Sequence, residues 1–116
     1  MPELPEVEVT RLGLKPLLNL NVGKVVIRNY SLRWPIDTAL PKLLKNQTLL
    51  DFSRRGKYIL AKFASGTLII HLGMSGRLCI VSYGEALNKH DHVDFQFKEN
   101  NLILRYRDPR RFGSIL

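Results

Sequence analysis

The apolar residues of this chain change period once, near Thr48, which divides a helical beginning from a strand-rich remainder. From Pro5 to about Leu18, Val9, Leu12, Pro16 and Leu17 recur at helical intervals, with Thr10, Arg11 and Lys15 on the other side. This predicts a first helix ending near Asn19 to Gly23. Val25, Val26 and Ile27 mark a strand from Val22 to Tyr30, and Leu40, Leu43 and Leu44 a short helix from Thr38 to Lys45 with Asp37 as its cap. Past Thr48 the period is two. Strands are predicted at Leu49 to Arg54, Tyr58 to Phe63, Leu68 to Leu72, Arg77 to Val81, Val93 to Lys98 and Leu102 to Arg107. Turn residues separate them at Arg55-Gly56, Ser65-Gly66, Gly73 to Gly76, Tyr83 to Asp91 and Glu99-Asn100-Asn101. The expected fold class is α+β, mostly β: an antiparallel β-sandwich, or flattened barrel, flanked by an N-terminal helix and a second short helix.

Composition fits one domain spanning residues 1–116, with 45% hydrophobic residues to fill a modest core. Eighteen Lys and Arg against ten Asp and Glu leave a net charge of +8, the footprint of a polyanion partner, and nucleic acid leads. A membrane partner would call for an amphipathic helix with its basic residues along one face, whereas the arginines fall mostly in strand-like segments and loops. The single cysteine, Cys79, excludes an internal disulfide and a cysteine-based zinc site; within Leu78-Cys79-Ile80-Val81 it reads as an inert core residue. Without a signal-peptide pattern or a membrane-length apolar run, the expected location is cytoplasmic, at the nucleoid. The apolar ending Ser114-Ile115-Leu116 carries no cap or polar tail and reads as a longer chain interrupted.

The terminus Met1-Pro2-Glu3-Leu4-Pro5-Glu6-Val7-Glu8 carries the sharpest chemistry. Removal of Met1 would free a secondary amine beside the Glu3 carboxylate. Attack by that amine on an electrophilic carbon gives an iminium that persists as an electron sink. The alternative is that the two prolines only start a helix, which suits Pro5 and leaves Pro2 open. Lys57, after Arg54-Arg55-Gly56, is placed to clamp a phosphate or donate a proton, or is a solvated surface lysine.

His71-Leu72-Gly73-Met74-Ser75-Gly76 frames a flexible methionine with glycines, as a gap-filling loop or as core. Lys89-His90-Asp91-His92-Val93-Asp94 invites a metal reading. In a strand, however, His90 and His92 share one face while Asp91 takes the other, so no metal site is expected and a phosphate contact by His90 is preferred. In Asp108-Pro109-Arg110-Arg111-Phe112-Gly113, Arg110 and Arg111 offer charge for phosphates and a planar fork for a base edge. Phe112 offers a ring able to wedge between bases, or merely anchors a hairpin tip.

In register from first residue to last, these motifs resemble the N-terminal domain of formamidopyrimidine-DNA glycosylase, in the branch of the formamidopyrimidine glycosylase and endonuclease VIII family acting on oxidised purines. The resemblance implies base-excision repair: a DNA glycosylase with abasic-site lyase activity. In it Pro2 attacks the sugar C1′ of a flipped 8-oxoguanine or formamidopyrimidine nucleotide. Glu3 protonates the ring oxygen, Glu6 supports it, and Lys57 contacts phosphate and assists elimination. Met74, Arg110 and Phe112 would fill the hole left by the flipped base, with Arg110 pairing the orphaned cytosine, while His90 and His71 hold phosphates. The family's second domain, with a helix-two-turns-helix and a four-cysteine zinc finger, has no counterpart here, so no cofactor is expected in this chain. A monomer binding damaged duplex DNA weakly, with little activity alone, is the expectation. Two rivals remain: a non-catalytic nucleic-acid-binding β domain, and an N-terminal-proline tautomerase acting on small keto acids.

Overall fold

The computed structural model describes residues 4–32, 35–73, 76–108 and 114–115. Two four-stranded antiparallel sheets face each other. One runs in the order β1 (Val22–Ile27), β6 (Asp91–Phe97), β7 (Leu102–Arg107), β5 (Arg77–Ser82). The other runs β2 (Leu49–Arg55), β3 (Tyr58–Phe63), β4 (Gly66–His71), β8 (Ser114–Ile115). Helix α1 (Leu4–Gly13) lies on β2 and β3, and the short α2 (Leu40–Leu44) packs near β1. The sandwich anticipated from the alternation is therefore the observed fold.

Alternation builds the core between the sheets. Val93, Phe95 and Phe97 of β6 meet Phe52, Ile59, Ala61, Phe63 and Ile70 of the second sheet, all at or below 5% exposure. The strand β8 was not anticipated. Ile115 pairs with Ile70 and is 2% exposed, so it adds a buried side chain to the second sheet.

Of the expected stripe Leu17 is buried, whereas Val9 is 69% and Leu12 43% exposed; α1 itself turns Val7 inward, and Leu14 just past its end is buried too. The α-helix stops at Gly13 and tightens into a 3-10 turn over Lys15–Leu17, with Pro16 unable to donate to an α-helical ladder. That change of pitch places Leu14 and Leu17 on one inward stripe, and Pro16 stays exposed. Asp37 does accept the Ala39 amide at 2.8 Å, but it caps the turn ahead of α2, whose first residue is Leu40. Cys79 is half-buried on the edge strand β5, opposite Arg105, and is not a core residue.

Candidate nucleic-acid interface

The turn that carries Lys57 joins β2 to β3. Gly56 sits there at φ +60°, a left-handed conformation that glycine adopts without steric cost. Arg54 holds the turn by donating from Nη1 to the Gly56 carbonyl at 3.1 Å, and its Nε donates to Glu8 Oε2 of α1 at 2.7 Å. Glu8 also receives the Arg11 guanidinium, whose Nε is 3.0 Å from Oε1, and Arg11 reaches across to the Phe52 carbonyl at 3.3 Å. Arg11 first, then Arg54, hold the Glu8 carboxyl down to about 2 by hydrogen bonding to its charged form. Helix and turn are thus joined through an anion that stays ionised at neutral pH.

Across β3 and β4, Tyr58 stands opposite His71 with ring centroids 4.9 Å apart, and His71 Nδ1 accepts the Gly73 amide at 3.3 Å. The loop closes where the Gly76 amide donates to the Leu72 carbonyl at 2.7 Å. A Cβ on Gly76 would lie 2.2 Å from that carbonyl oxygen and 2.9 Å from the Tyr106 hydroxyl, so the close approach requires glycine. Tyr106, fully buried, donates its hydroxyl to Asp108 Oδ2 at 2.7 Å; burial first, then Asp108, push its phenol pKa upward.

Asp108 in turn donates its amide to the His90 carbonyl at 3.1 Å and accepts the His92 Nε2 hydrogen at 2.7 Å on its own carbonyl. His90 is half-buried at a turn in which its amide donates to Asn88 Oδ1 at 3.1 Å. Ser114 stands opposite His71. Both described flanks of segment 109–113 are therefore fixed, one at Asp108 and one beside His71. Replacing Tyr106 by Phe removes only the bond to Asp108 and is expected to cost about 1–2 kcal/mol in urea unfolding. It should also raise hydrogen exchange at the Asp108 amide; unchanged exchange would show the anchor to be dispensable.

In the His and Asp cluster of residues 90–94 the two aspartates are held by arginines and His92 by the Asp108 carbonyl. His90 precedes β6 and so does not share a strand face with His92, and a bulge interrupts the register between Asp91 and Val93. Asp94 accepts Arg105 Nε at 2.9 Å and Nη2 at 3.0 Å together with Arg28 Nη2 at 2.7 Å, while Asp91 accepts Arg107 Nε at 2.6 Å. Burial alone would raise both carboxyl pKa values. For Asp94 the Arg105 and Arg28 bonds outweigh it, and for Asp91 the Arg107 bond and the Asn88 amide do so, leaving both lowered. Among the described residues no three His, Cys, Asp or Glu side chains converge as a metal site. With one cysteine in the sequence, the four-cysteine zinc finger that the resemblance implies cannot be built from this chain.

An unbroken path of contacts therefore runs from α1 through Glu8, Arg54 and Gly56 to Lys57, from Tyr58 to His71, and from the Gly76 loop through Tyr106 and Asp108 to His90. Pro2, Glu3, Met74, Arg110, Arg111 and Phe112 lie outside the described residues, and Glu6 is placed only as a helical backbone position. The anchoring roles of Glu8, Arg54, Tyr106 and Asp108 are what residue types did not disclose: Arg54 read only as a charge beside Lys57 and Asp108 only as the start of its motif. Glu8 and Arg11 were visible as an i,i+3 pair of opposite charge, whereas the reach to Arg54 needs the tertiary fold.

A family model for the formamidopyrimidine-DNA glycosylase N-terminal domain matches residues 1–115. This chain belongs to that family. It is 55% identical over 116 residues to the formamidopyrimidine-DNA glycosylase of Methylobacillus flagellatus, aligning all of this chain with 41% of that protein. The Saccharophagus degradans glycosylase is likewise 55% identical, over 117 residues that make up 43% of it. The chain thus spans less than half the length of these relatives. Among solved structures, the Lactococcus lactis formamidopyrimidine-DNA glycosylase non-covalently bound to DNA containing an abasic site superposes with a TM-score of 0.89 at 31% identity. That match covers 98% of this chain and 44% of the Lactococcus chain. A complex of an inhibited glycosylase with DNA containing an N7-benzyl formamidopyrimidine nucleotide gives 0.90 at 32% identity, covering 98% of this chain and 42% of the other.

Proposed function

We propose that this chain is the N-terminal catalytic domain of a base-excision repair glycosylase and abasic-site lyase that removes oxidised purines from duplex DNA. The observation that carries the reading is the contact path that joins α1, the Lys57 turn, His71 and His90, the elements on which the family motifs fall. In this reading the amine of Pro2, freed of Met1, attacks C1′ of the flipped nucleotide, the damaged base departs, and an iminium remains. Glu3 protonates the sugar ring oxygen with Glu6 in support, and elimination then cleaves the strand beside the lesion with help from Lys57. His71 and His90 hold phosphates, Met74, Arg110 and Phe112 plug the emptied stack, and Arg111 adds charge for the backbone. The domain acts as a monomer in the cytoplasm, at the nucleoid, and a second, zinc-bearing domain of the complete enzyme supplies the other wall of the DNA cleft.

Binding to a duplex containing an abasic-site analogue tests the electrostatic part. Two or three phosphate contacts predict that affinity falls about 10- to 40-fold between about 50 and 200 mM salt. A flat salt response would mean that the basic surface does not hold DNA. Borohydride reduction on an abasic duplex tests the chemistry, since only an imine to the sugar leaves a covalent protein-DNA adduct. Absence of that adduct from protein whose intact mass shows Met1 removed would overturn the lyase assignment in favour of a binding domain.

A further inference from the structure

Glu8 and Arg54 do more than join a helix to a sheet, because Arg54 engages both sides of the junction with one rigid group. Its Nε reaches Glu8 Oε2 at 2.7 Å and its Nη1 reaches the Gly56 carbonyl at 3.1 Å. That carbonyl belongs to the peptide bond leading into Lys57. Glu8 lies four residues beyond Leu4, the first residue of α1, about 6 Å along the helix axis. A second guanidinium secures the helix side, since Arg11 holds the other Glu8 oxygen and reaches the Phe52 carbonyl of β2. Helix start and lysine turn thus share one anion, and a planar fork spans them with fixed geometry.

We infer that the Glu8–Arg54 pair is a positioning clamp that sets the start of α1, which follows Pro2 by two residues in sequence, at a fixed place relative to Lys57. The inference rests on the reading of Pro2 and Lys57 given above. It assigns Glu8 and Arg54 no contact with DNA. They act through the nucleophile and the lysine, so their loss should separate two steps of one reaction. Imine formation needs only the amine and the sugar carbon, whereas elimination needs Lys57 held beside that imine. Misplacement of about 1 Å is enough to cost such a step about 100-fold.

The decisive comparison sets the unaltered chain beside Glu8→Gln and Arg54→Lys, at low salt with protein in excess of an abasic duplex. Arg54→Lys keeps the positive charge but replaces the rigid planar fork that meets Glu8 and the Gly56 carbonyl with one rotatable nitrogen on a flexible stem. Both variants are expected to keep borohydride trapping within about threefold while single-turnover strand scission falls about tenfold or more. Independently of activity, hydrogen exchange at the amides of residues 55–58 should rise about tenfold, with β6 and β7 unchanged. Equal losses in trapping and scission, or full scission in Arg54→Lys, would show that the pair serves stability or phosphate binding alone. Unchanged exchange at 55–58 would show that there is no clamp. An unaltered chain that forms no adduct refutes the role of Pro2 instead, and the exchange comparison then decides the clamp by itself.

Discussion

A chain carrying extra residues ahead of Pro2 is expected to lose the borohydride-trapped adduct on abasic DNA by about three orders of magnitude or more, the scale on which removal of a covalent nucleophile acts. Its affinity for the same duplex should stay within about threefold, because the phosphate contacts proposed above use other residues. The reason is electronic. Inside the chain the Pro2 nitrogen is a tertiary amide whose lone pair is delocalised into the carbonyl, and only as a free secondary amine can it attack C1′ and form a cation with no N–H proton to lose. Retention of Met1 should act in the same way as an added tag, so intact mass and adduct yield should rise and fall together across preparations. A tautomerase using the same amine as a base would lose its activity on processing defects too, but would give no adduct with DNA in any state. Equal trapping by tagged and processed protein would move the nucleophile to a lysine side chain, with Lys57 the first to substitute.

What the sequence disclosed follows from how locally each feature is encoded. Strands β2 to β7 were legible because turn residues punctuate short runs of strand-forming residues; β3 and β4 alternate in burial, whereas β6 and β7 are buried on both faces. Helix α1 was legible as a helix, but its buried face was not. The switch to a 3-10 turn after Gly13 and the docking onto β2 decide whether Val7 or Val9 points inward, and both choices satisfy a helical period. Strand β8 escaped because two residues carry no period, and its place is set by pairing with Ile70 and His71. In the site, residue types marked Lys57, His71 and His90, yet not what orients them. The Glu8–Arg54 link spans 46 positions and the Gly76–Tyr106 approach spans 30, distances over which spacing says nothing. The ionic pairs of β6 and β7 were not within reach of the turn alone: counting back from Glu99-Asn100-Asn101 sets Asp94 opposite Tyr106, one residue away from Arg105, its partner in the register.

That register carries the second large effect, a loss of stability when Arg105 is replaced by Ala. Arg105 is 3% exposed and holds both oxygens of Asp94, itself 1% exposed, while its Nη1 lies 3.7 Å from Asp91. Truncating it leaves two buried carboxylates, Asp94 with Arg28 and Asp91 with Arg107 and the Asn88 amide. Breaking a buried pair in this way costs about 3–5 kcal/mol, which for a domain of this size lowers Tm by about 15–25 °C. The pH dependence fixes the cause. Asp94 and Asp91 titrate below their ordinary value of 3.8, so their contribution is complete above that value and is lost as pH falls through the lowered folded values. In Arg105→Ala, burial acts on Asp94 with less opposition and raises its carboxyl, which then protonates readily in acid and no longer burdens the fold. The difference between the two proteins should therefore be full at pH 7 and shrink steadily below about pH 4. A difference of the same size at pH 3 would assign the loss to the missing Arg105 side-chain packing, and Arg105→Met, which restores most of that bulk without the charge, would then recover stability at every pH.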